Sequence, residues 1–271
     1  MTVLITGGTG LVGTRLLPRL VDAGIDCRIL TRAGKQGPAG TTSVEGDILD
    51  PASLAVAMRG VEAVVHLAAV LRTPDPEQIW QVNLEGTRNL VAAAKDHAPA
   101  ARFILASTGL VYDATGVRPA VESDPVAPER AYPASKVAAE NLLRESGITW
   151  SILRFGFVYG DGDGHIGQIP HIAKLLGLHP ANRLSMIHHR DIACFVKMGL
   201  EGRLDGRIVN TVDDAPMTIL ELSTMAGVPM EPAVTPTNNP WSGVLDGSLA
   251  LELGFRPEVT TTWQAAREGL L

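Results

Sequence analysis

Tyr132 and Lys136 are the two residues whose types and spacing point most directly to chemistry. They lie four residues apart in the segment YPASK, so one turn of helix would place the phenol and the ammonium on the same face. A phenol with a pKa of about 10 exchanges protons poorly at neutral pH. A neighbouring ammonium favours the phenolate and would lower that pKa. The pair therefore predicts an acid/base tyrosine.

A glycine-rich loop near the start of the chain suits the phosphates of a dinucleotide. The letters TGGTGLVG occupy 6–13, directly after a short apolar run. Such glycines permit a tight turn, close approach of the backbone to a pyrophosphate, and packing of the next helix on the strand. N–H groups at the helix start would face the phosphates, although a plain strand–helix turn is the alternative. The predicted contacts are Gly7, Thr9, Gly10, Leu11, Val12 and Gly13.

The end of the second apolar run bears on which dinucleotide binds. An acidic residue here would hold a ribose 2′-hydroxyl, whereas an arginine attracts a 2′-phosphate. This chain has Thr31 and Arg32, with Lys35 nearby and no carboxylate. We therefore predict that NADP, as NADPH, binds with its adenosine end at Thr31 and Arg32. If Arg32 is only a solvated loop charge, NAD remains possible.

Two further segments fit the same cofactor. Asp47 follows the third apolar run and would accept a hydrogen bond from the adenine amine, with Ile48 covering the ring. Asp47 could equally be the carboxylate of a turn. Leu67, Ala68 and Ala69 end the fourth run, where small residues would let the cofactor cross the sheet edge.

A hydroxyl pair completes the predicted catalytic set. Ser107 and Thr108 follow the fifth apolar run and would orient the reacting oxygen, while Lys136 would also hold the nicotinamide ribose. A tyrosine–lysine pair alone occurs by chance on many helices. Its coincidence with the loop and the hydroxyls, at the carboxyl ends of successive strands, favours a binding crevice.

Short apolar runs alternate with segments of helical periodicity through the first half of the chain. The predicted strands are Val3–Ile5, Cys27–Leu30, Thr42–Val44, Ala63–Leu67, Arg102–Ala106 and Ser151–Leu153. The predicted helices are Leu11–Ala23, Pro51–Met58, Pro76–Asp96 and Tyr132–Ser146. This alternation predicts an α/β fold, a doubly wound parallel sheet of the Rossmann type.

The pattern loosens after residue 156, where 160–164 predicts a loop and 228–243 an irregular, proline-containing connection. The further predicted elements are helices Gln168–Leu176, Arg190–Leu200, Ser248–Leu253 and Thr262–Leu270, and a strand Arg207–Asn210. We predict a dinucleotide-binding domain over 1–155, to which 185–212 returns. A small C-terminal substrate lobe would comprise 156–184 and 213–271.

Composition narrows the class of protein. The 271 residues carry a net charge of −6 and include 4% aromatic residues. This composition offers neither a basic field nor stacking platforms for nucleic acid.

The cysteine and apolar patterns indicate the compartment. Cys27 and Cys194 are too few for a disulfide framework, and we expect them to be free thiols. The chain enters a strand at once and lacks an apolar run of about 18 residues, so we expect a cytoplasmic protein that does not enter a membrane. The histidines lack the spacing of a zinc site, and no metal is predicted; they include His165, His171, His179, His188 and His189.

Taken together, the motifs resemble the short-chain dehydrogenase/reductase superfamily, specifically its extended branch of epimerase/dehydratase-like proteins. The segments that carry the resemblance are TGGTGLVG, GDILD, VVHLAA, NLEGTRNL, ASTGLVYD, YPASK, LRFGFVYG and HHRDIA. The resemblance implies that Tyr132 is the general acid/base, Lys136 its partner and Thr108 the catalytic hydroxyl, with Ser107 its neighbour. It also implies a supporting role for Asn83 and a nicotinamide contact at Phe155 and Gly156.

The chain departs from the family pattern at several points. Pro133 and Asp113 replace residues that are usually smaller, and Gly109 and Leu110 follow Thr108 where dehydratases carry acids. The resemblance places a substrate contact in HHRDIA, with Asp191 capping the next helix, and Arg154, Arg183 and Arg190 are either substrate anchors or salt-bridge partners. It also implies a possible homodimer through Pro76–Asp96 and the helix that starts near Tyr132.

These observations predict an NADPH-dependent oxidoreductase that acts on a small carbonyl or hydroxyl compound. Two alternatives stay open. One is an epimerase that recycles its cofactor within each turnover, and the other is an NADP-binding sensor without catalysis, which the intact tyrosine–lysine pair disfavours.

Overall fold

A seven-stranded sheet, parallel throughout, forms the centre of the computed structural model, which describes residues 1–112 and 116–271. The strands are β1 Thr2–Thr6, β2 Asp26–Thr31, β3 Thr42–Glu45, β4 Ala63–His66, β5 Arg102–Thr108, β6 Trp150–Phe155, β7 Phe157–Tyr159, β8 Arg183–Leu184, β9 Met186–His188, β10 Arg207–Thr211 and β11 Met217–Thr218. The helices are α1 Gly13–Asp22, α2 Pro51–Ala57, α3 Pro76–Trp80, α4 Gly86–His97, α5 Ala131–Arg144, α6 Ile169–Leu176, α7 His189–Leu200, α8 Ile219–Met225, α9 Ser248–Glu252 and α10 Thr262–Glu268. The departure noted at Asp113 lies outside the described residues.

The order of strands in the main sheet is β10-β6-β5-β4-β1-β2-β3. Chain order reverses between β1 and its neighbour β4, and ligands of such sheets bind beyond the carboxyl ends of the strands at this point. The strands β1, β4, β5 and β6 end at Thr6, His66, Thr108 and Phe155. The predicted doubly wound parallel sheet is confirmed.

Helices cover both faces of the sheet, which explains why its strands are apolar on both sides. Val3 and Ile5 pack in one apolar layer with Leu16 of α1 and Ile192 of α7. Leu4, between them, faces the opposite layer, which contains residues of α2, α4 and α5. This alternation decides which side chains at the strand ends face α5.

The long helix predicted over Pro76–Asp96 is interrupted. α3 passes into a π-helical turn, Gln81–Glu85, before α4 begins. A π turn widens the backbone by one residue and is often found at functional sites. Here it contains Asn83, which is 1% exposed.

The second half of the chain adds elements that the sequence pattern did not predict. Strands β7 and β9 pair in parallel, β8 and β11 pair in antiparallel fashion, and α8 begins at a capping box formed by Thr218 and Glu221. β10 joins the main sheet beside β6. A third apolar cluster lies among these elements and includes Tyr159, Met186, Met217 and Leu222. The proposed division into a dinucleotide-binding domain and a lobe remains a prediction.

Candidate active site

The glycine loop has the close packing that a dinucleotide cradle requires. Gly7 has a φ of +73°, and a Cβ there would lie 2.6 Å from the amide nitrogen of Ala68. A Cβ on Gly13 would lie 2.5 Å from Gly8 Cα. The amide of Gly10 donates to the carbonyl of Gly7 over 3.0 Å and closes the turn. The loop therefore brings bare backbone to the carboxyl edge, as predicted for a phosphate site.

The start of α1 offers N–H groups toward this edge. Among the described residues, no acceptor meets the amide N–H groups of Leu11 and Val12, and no acidic side chain lies in the first turn of α1. The exposed residues Thr9, Gly10 and Leu11 border the same loop. Free N–H groups and the positive end of the helix dipole together fit a pyrophosphate.

At the end of β2, Thr31 is buried and Arg32 is exposed. Arg32 forms no ion pair with any residue between 1 and 112 or between 116 and 271. Its guanidinium is therefore available to an anion. Asp47 stabilises the turn after β3, because its Oδ1 accepts a hydrogen bond of 2.9 Å from the amide of Leu49.

Ile48 packs toward α4. Its side chain is 8% exposed, and a Cβ on Gly86 would lie 2.5 Å from Ile48 Cδ1. The contact of Ile48 with adenine stays a prediction. At the end of β4, the amide of Ala68 donates to Thr6 Oγ1 over 3.3 Å. This bond draws Leu67 and Ala68 against the glycine loop, while Ala69 is exposed.

Tyr132 and Lys136 lie one turn apart on α5. Lys136 is 2% exposed, and burial lowers the pKa of its ammonium to about 8, against the opposing attraction of Glu140. Burial raises the pKa of Tyr132 to about 12, while a hydrogen bond with Thr108 acts in the opposite direction. The protein alone thus holds the phenol in its neutral form, the reverse of the direction expected from Lys136. α5 packs against β5 and against the turn Gly109–Val111 that follows it, so the predicted hydroxyl of Thr108 lies on the side of the sheet that faces Tyr132.

Asn83 ties this helix to the cofactor edge. Its Nδ2 donates to the carbonyl of Val70 and to Ser135 Oγ, both over 3.0 Å, and its Oδ1 accepts from the amide of Val70 over 2.8 Å. Ser135 Oγ in turn donates to the carbonyl of Tyr132 over 2.7 Å. Asn83 therefore fixes the first turn of α5 relative to the segment after β4.

His66, within the segment VVHLAA, was not predicted as a site residue. It is fully buried, with Nδ1 2.6 Å from Thr6 Oγ1 and Nε2 2.9 Å from Thr87 Oγ1. Because Thr87 Oγ1 donates to the carbonyl of Asn83 over 2.6 Å, the histidine must donate from Nε2. Burial, reinforced by the charge of Lys136, lowers the pKa of His66 to about 3. A neutral imidazole thus links β1, β4 and α4 beside the lysine.

Ser107 and Arg154 have a different role from the ones expected. Ser107 Oγ donates to Glu140 Oε1, and Arg154 donates to Glu140 from Nη2 over 2.7 Å and from Nε over 3.2 Å. Arg154 is 3% exposed. It is therefore neither a substrate anchor nor a surface salt-bridge partner, because a buried carboxylate occupies it.

Phe155 and Gly156 follow Arg154 at the end of β6. Phe155 is 8% exposed and belongs to the core layer of α1 and α7. A Cβ on Gly156 would lie 2.6 Å from the carbonyl oxygen of Ser185. The need for glycine here is thus explained by the approach of the segment before β9.

Three residues of the segment HHRDIA form hydrogen bonds within the protein, and the substrate contact predicted there stays a prediction. His188, not Asp191, caps α7, since its Nδ1 accepts from the amide of Arg190 over 3.1 Å. Asp191 instead accepts from the amides of Glu258 and Val259. His189 Nε2 lies 2.9 Å from Asp163 Oδ2, and both side chains are buried. Across 1–112 and 116–271, no cluster of three or more potential ligands could hold a metal ion.

Comparison with known proteins identifies the class. The family model described as "NAD dependent epimerase/dehydratase family" matches residues 3–178, and the chain belongs to this family. The resemblance inferred from the motifs is confirmed. In the parts of the chain that the structure describes, no helix is both long and apolar enough to cross a membrane.

Individual relatives are named for different activities. A UDP-glucose 4-epimerase of Azospirillum brasilense is 34% identical over 64% of this chain and 54% of its own length. A ceramide reductase of Caulobacter vibrioides is 31% identical over 70% of this chain and 58% of its own. The matched regions thus span only about half the length of these relatives.

Solved structures match over nearly the whole chain. A UDP-glucose 4-epimerase of Thermus thermophilus in complex with NAD is 26% identical, with a TM-score of 0.78 over 98% of this chain and 97% of that one. The enzyme WbmG of Bordetella bronchiseptica in complex with NAD is 28% identical, with a TM-score of 0.80 over 99% and 94%.

Proposed function

We propose that this protein is a nicotinamide-dependent oxidoreductase that reduces a small carbonyl compound, or oxidises the corresponding alcohol. The observation that carries the proposal is the position of Tyr132 on α5, one helical turn from the buried Lys136, where α5 packs against the strand β5 that ends at Thr108. The glycine loop presents bare backbone at the same edge of the sheet. Family membership over residues 3–178 supports the same class of enzyme.

Some of the site residues would bind the cofactor, and others would orient the substrate and transfer a proton. The loop of residues 7–13 would hold the pyrophosphate, and Lys136 would hold the nicotinamide ribose. When bound, the nicotinamide donates or accepts a hydride at its C4 carbon. Thr108 would hydrogen-bond the substrate oxygen, and Tyr132 would donate its proton to that oxygen as negative charge develops there. The neutral phenol, favoured by burial, is the form required for reduction.

A kinetic comparison of two tyrosine variants tests this assignment. Tyr132→Phe should reduce kcat for NADPH-linked reduction by at least about 100-fold while leaving NADPH affinity within about twofold. The matched control is Tyr159→Phe, because Tyr159 is buried in the lobe, where its hydroxyl lies 3.4 Å from Asp213 Oδ2. Full activity of Tyr132→Phe on a substrate that the wild type reduces would refute the mechanism.

We further propose a preference for NADPH over NADH. The exposed Arg32 without an ion-pair partner among the described residues supports it, whereas the solved relatives named above contain NAD. Arg32→Ala should lower the ratio of kcat/KM for NADPH to that for NADH by about tenfold. Arg59→Ala should leave the ratio unchanged, because it removes an exposed arginine that lies before the amino end of β4, at the side of the sheet away from the proposed cofactor site. An unchanged ratio in Arg32→Ala would exclude Arg32 from the cofactor site.

Epimerisation of a sugar nucleotide is the second candidate, favoured by the overlay with the Thermus thermophilus epimerase. The same residues would serve it, so the two functions differ in stoichiometry. An epimerase forms product with no net change in nicotinamide absorbance, whereas an oxidoreductase consumes one cofactor per product. The homodimer implied by the resemblance stays a prediction.

A further inference from the structure

Glu140 is a buried carboxylate that joins the two catalytic elements. It is 2% exposed and lies on α5 one turn beyond Lys136. Ser107, the residue before Thr108 on β5, donates to its Oε1, and Arg154 of β6 binds both of its oxygens. A carboxylate held by three donors on two strands restricts how α5 can lie on the sheet.

The periodicities of strand and helix produce this meeting. Side chains alternate along a strand, so Ser107 continues the row of Phe103 and Leu105, which faces α5. Ser107 and Arg154 are register partners across β5 and β6. Residues 132, 136 and 140 recur at helical spacing, which places the acid/base, the lysine and the carboxylate along one face of α5.

Glu140, one helical turn beyond Lys136 on α5, is a buried carboxylate whose charge favours the ammonium form of Lys136. Attraction by Glu140 opposes the effect of burial on Lys136. His66, of β4, is neutral, and Tyr132 on the same helix is a neutral phenol. Arg154 forms a further hydrogen bond, in which its Nη1 donates to the Tyr112 hydroxyl over 2.9 Å.

We propose that Glu140 is a positioning residue, which fixes α5 against the end of β5 through Ser107 and Arg154 and supplies the negative charge that balances Lys136. The proposal rests on the function proposed above, because it assigns to Lys136 a role that requires the ammonium. It predicts that the charge of Glu140, in addition to its shape, is needed.

NMR titration of lysine side chains tests this without any assay of turnover. The chain has five lysines, so the signal of Lys136 in protein labelled with [ε-13C]lysine can be assigned by its loss in Lys136→Arg. Glu140→Gln keeps the shape of the side chain but removes its charge, and should lower the titration midpoint of Lys136 by about one pH unit. The matched control is Glu122→Gln, because Glu122 accepts from the amide of Asn210 over 2.8 Å and leaves Glu140 in place. It should not move the midpoint.

Enzyme kinetics provide the second readout. In Glu140→Gln the midpoint of the alkaline limb of kcat should move to lower pH by the same amount. Activity should therefore fall little at pH 6 and about tenfold at pH values above the wild-type midpoint. Glu140→Asp, which keeps the charge, should restore the position of the limb even if its shorter reach lowers kcat throughout.

Unfolding of the single variant would not end the test. Glu140→Leu combined with Arg154→Met removes both buried charges together, which proteins often tolerate, and should lower the Lys136 midpoint in the same direction. An unchanged midpoint in folded Glu140→Gln, or in the double variant, would overturn the proposal. If the wild type reduces no carbonyl compound, the proposed function fails while the NMR result still decides the role of Glu140.

Discussion

Two residues at the candidate site have pKa values moved by burial in ways that matter for proton transfer. Burial raises the pKa of Tyr132 to about 12, so the phenol is held neutral. Burial lowers the pKa of the Lys136 ammonium to about 8. A phenol that keeps its proton is a poor base but a ready donor to a developing alkoxide. Positive charge brought beside Tyr132 must therefore shift the balance from the neutral phenol toward the phenolate.

Burial has a measurable consequence at Asp213, outside the site. It raises the pKa of this carboxyl from 3.8 to about 8, so the folded protein retains a proton that the unfolded chain releases. The free energy of unfolding should therefore fall as the pH rises from about 4 to about 8. Asp213→Asn has no carboxyl to ionise at this position, so its free energy of unfolding should not fall in this way. It should be more stable than the wild type at pH 8 by at least about 1 kcal/mol, and the difference should vanish near pH 4.

Urea denaturation at several pH values measures this difference. The control is Asp96→Asn, which removes an exposed carboxylate on α4 that is not among the charges acting on Asp213. It should show no such trend. A gain in stability that does not vary with pH would contradict the assignment.

The glycine loop and π turn are the elements that shape the cofactor edge. Gly13 is the most constrained glycine of the loop, because a Cβ would enter the space of Gly8 Cα at 2.5 Å. Gly13→Ala should weaken NADPH binding at least about tenfold by displacing the N–H groups at the start of α1. Gly167→Ala, at a glycine with open space around it, should bind as the wild type does. Isothermal titration calorimetry distinguishes these outcomes, and unchanged affinity in Gly13→Ala would place the pyrophosphate elsewhere.

Elements with strong apolar patterns were predictable from the sequence, and irregular ones were not. All six strands predicted in the first half occur. Most of them are largely apolar because parallel strands are covered on both faces, whereas β3, at the edge of the sheet, is largely exposed. The strands Arg183–Leu184 and Met217–Thr218 are too short for any periodicity. The helix Ile219–Met225 was missed although Thr218 and Glu221 form a capping box, a signal that the sequence does contain.

The site was predictable to the extent that motifs fix local geometry. Helix spacing places Tyr132 and Lys136 one turn apart on α5, and α5 packs against the strand β5 that ends at Thr108. Their catalytic roles stay predictions. The pairing of Arg154 with Glu140 depends on how β6 packs on α5. The alternation of side chains on β5 could have shown that Ser107 faces that helix.

At the scale of the whole molecule, Arg72 links the cofactor edge to the second half of the chain. It lies in the segment after β4, and its guanidinium lies 2.5 Å from Gln168 Oε1 and 3.2 Å from His165 Nε2. His165 Nδ1 is bonded to the carbonyl of Val158 over 2.8 Å, so Nε2 is free to accept. The link joins the segment after β4 to the short turn, Ile166–Gln168, that precedes α6.

Removal of this link should loosen the neighbouring helix. In Arg72→Ala, backbone amides of residues 165–176 should exchange with solvent several-fold faster, while amides of the main sheet keep their rates. Arg88→Ala is the matched control, because Arg88 pairs with Glu85, three residues earlier in the same helical segment. Hydrogen exchange followed by mass spectrometry reads both regions, and equal rates in Arg72→Ala and the wild type would show that the link is dispensable.

Ionisation of Tyr132 with and without cofactor tests the central claim most directly. The ultraviolet difference between wild type and Tyr132→Phe reports this phenol alone as the pH is raised. Bound NADP⁺ should lower the apparent pKa of Tyr132 by about two pH units, and Lys136→Met should reduce that effect. A titration curve that is the same with and without saturating NADP⁺ would contradict the placement of the nicotinamide beside Tyr132.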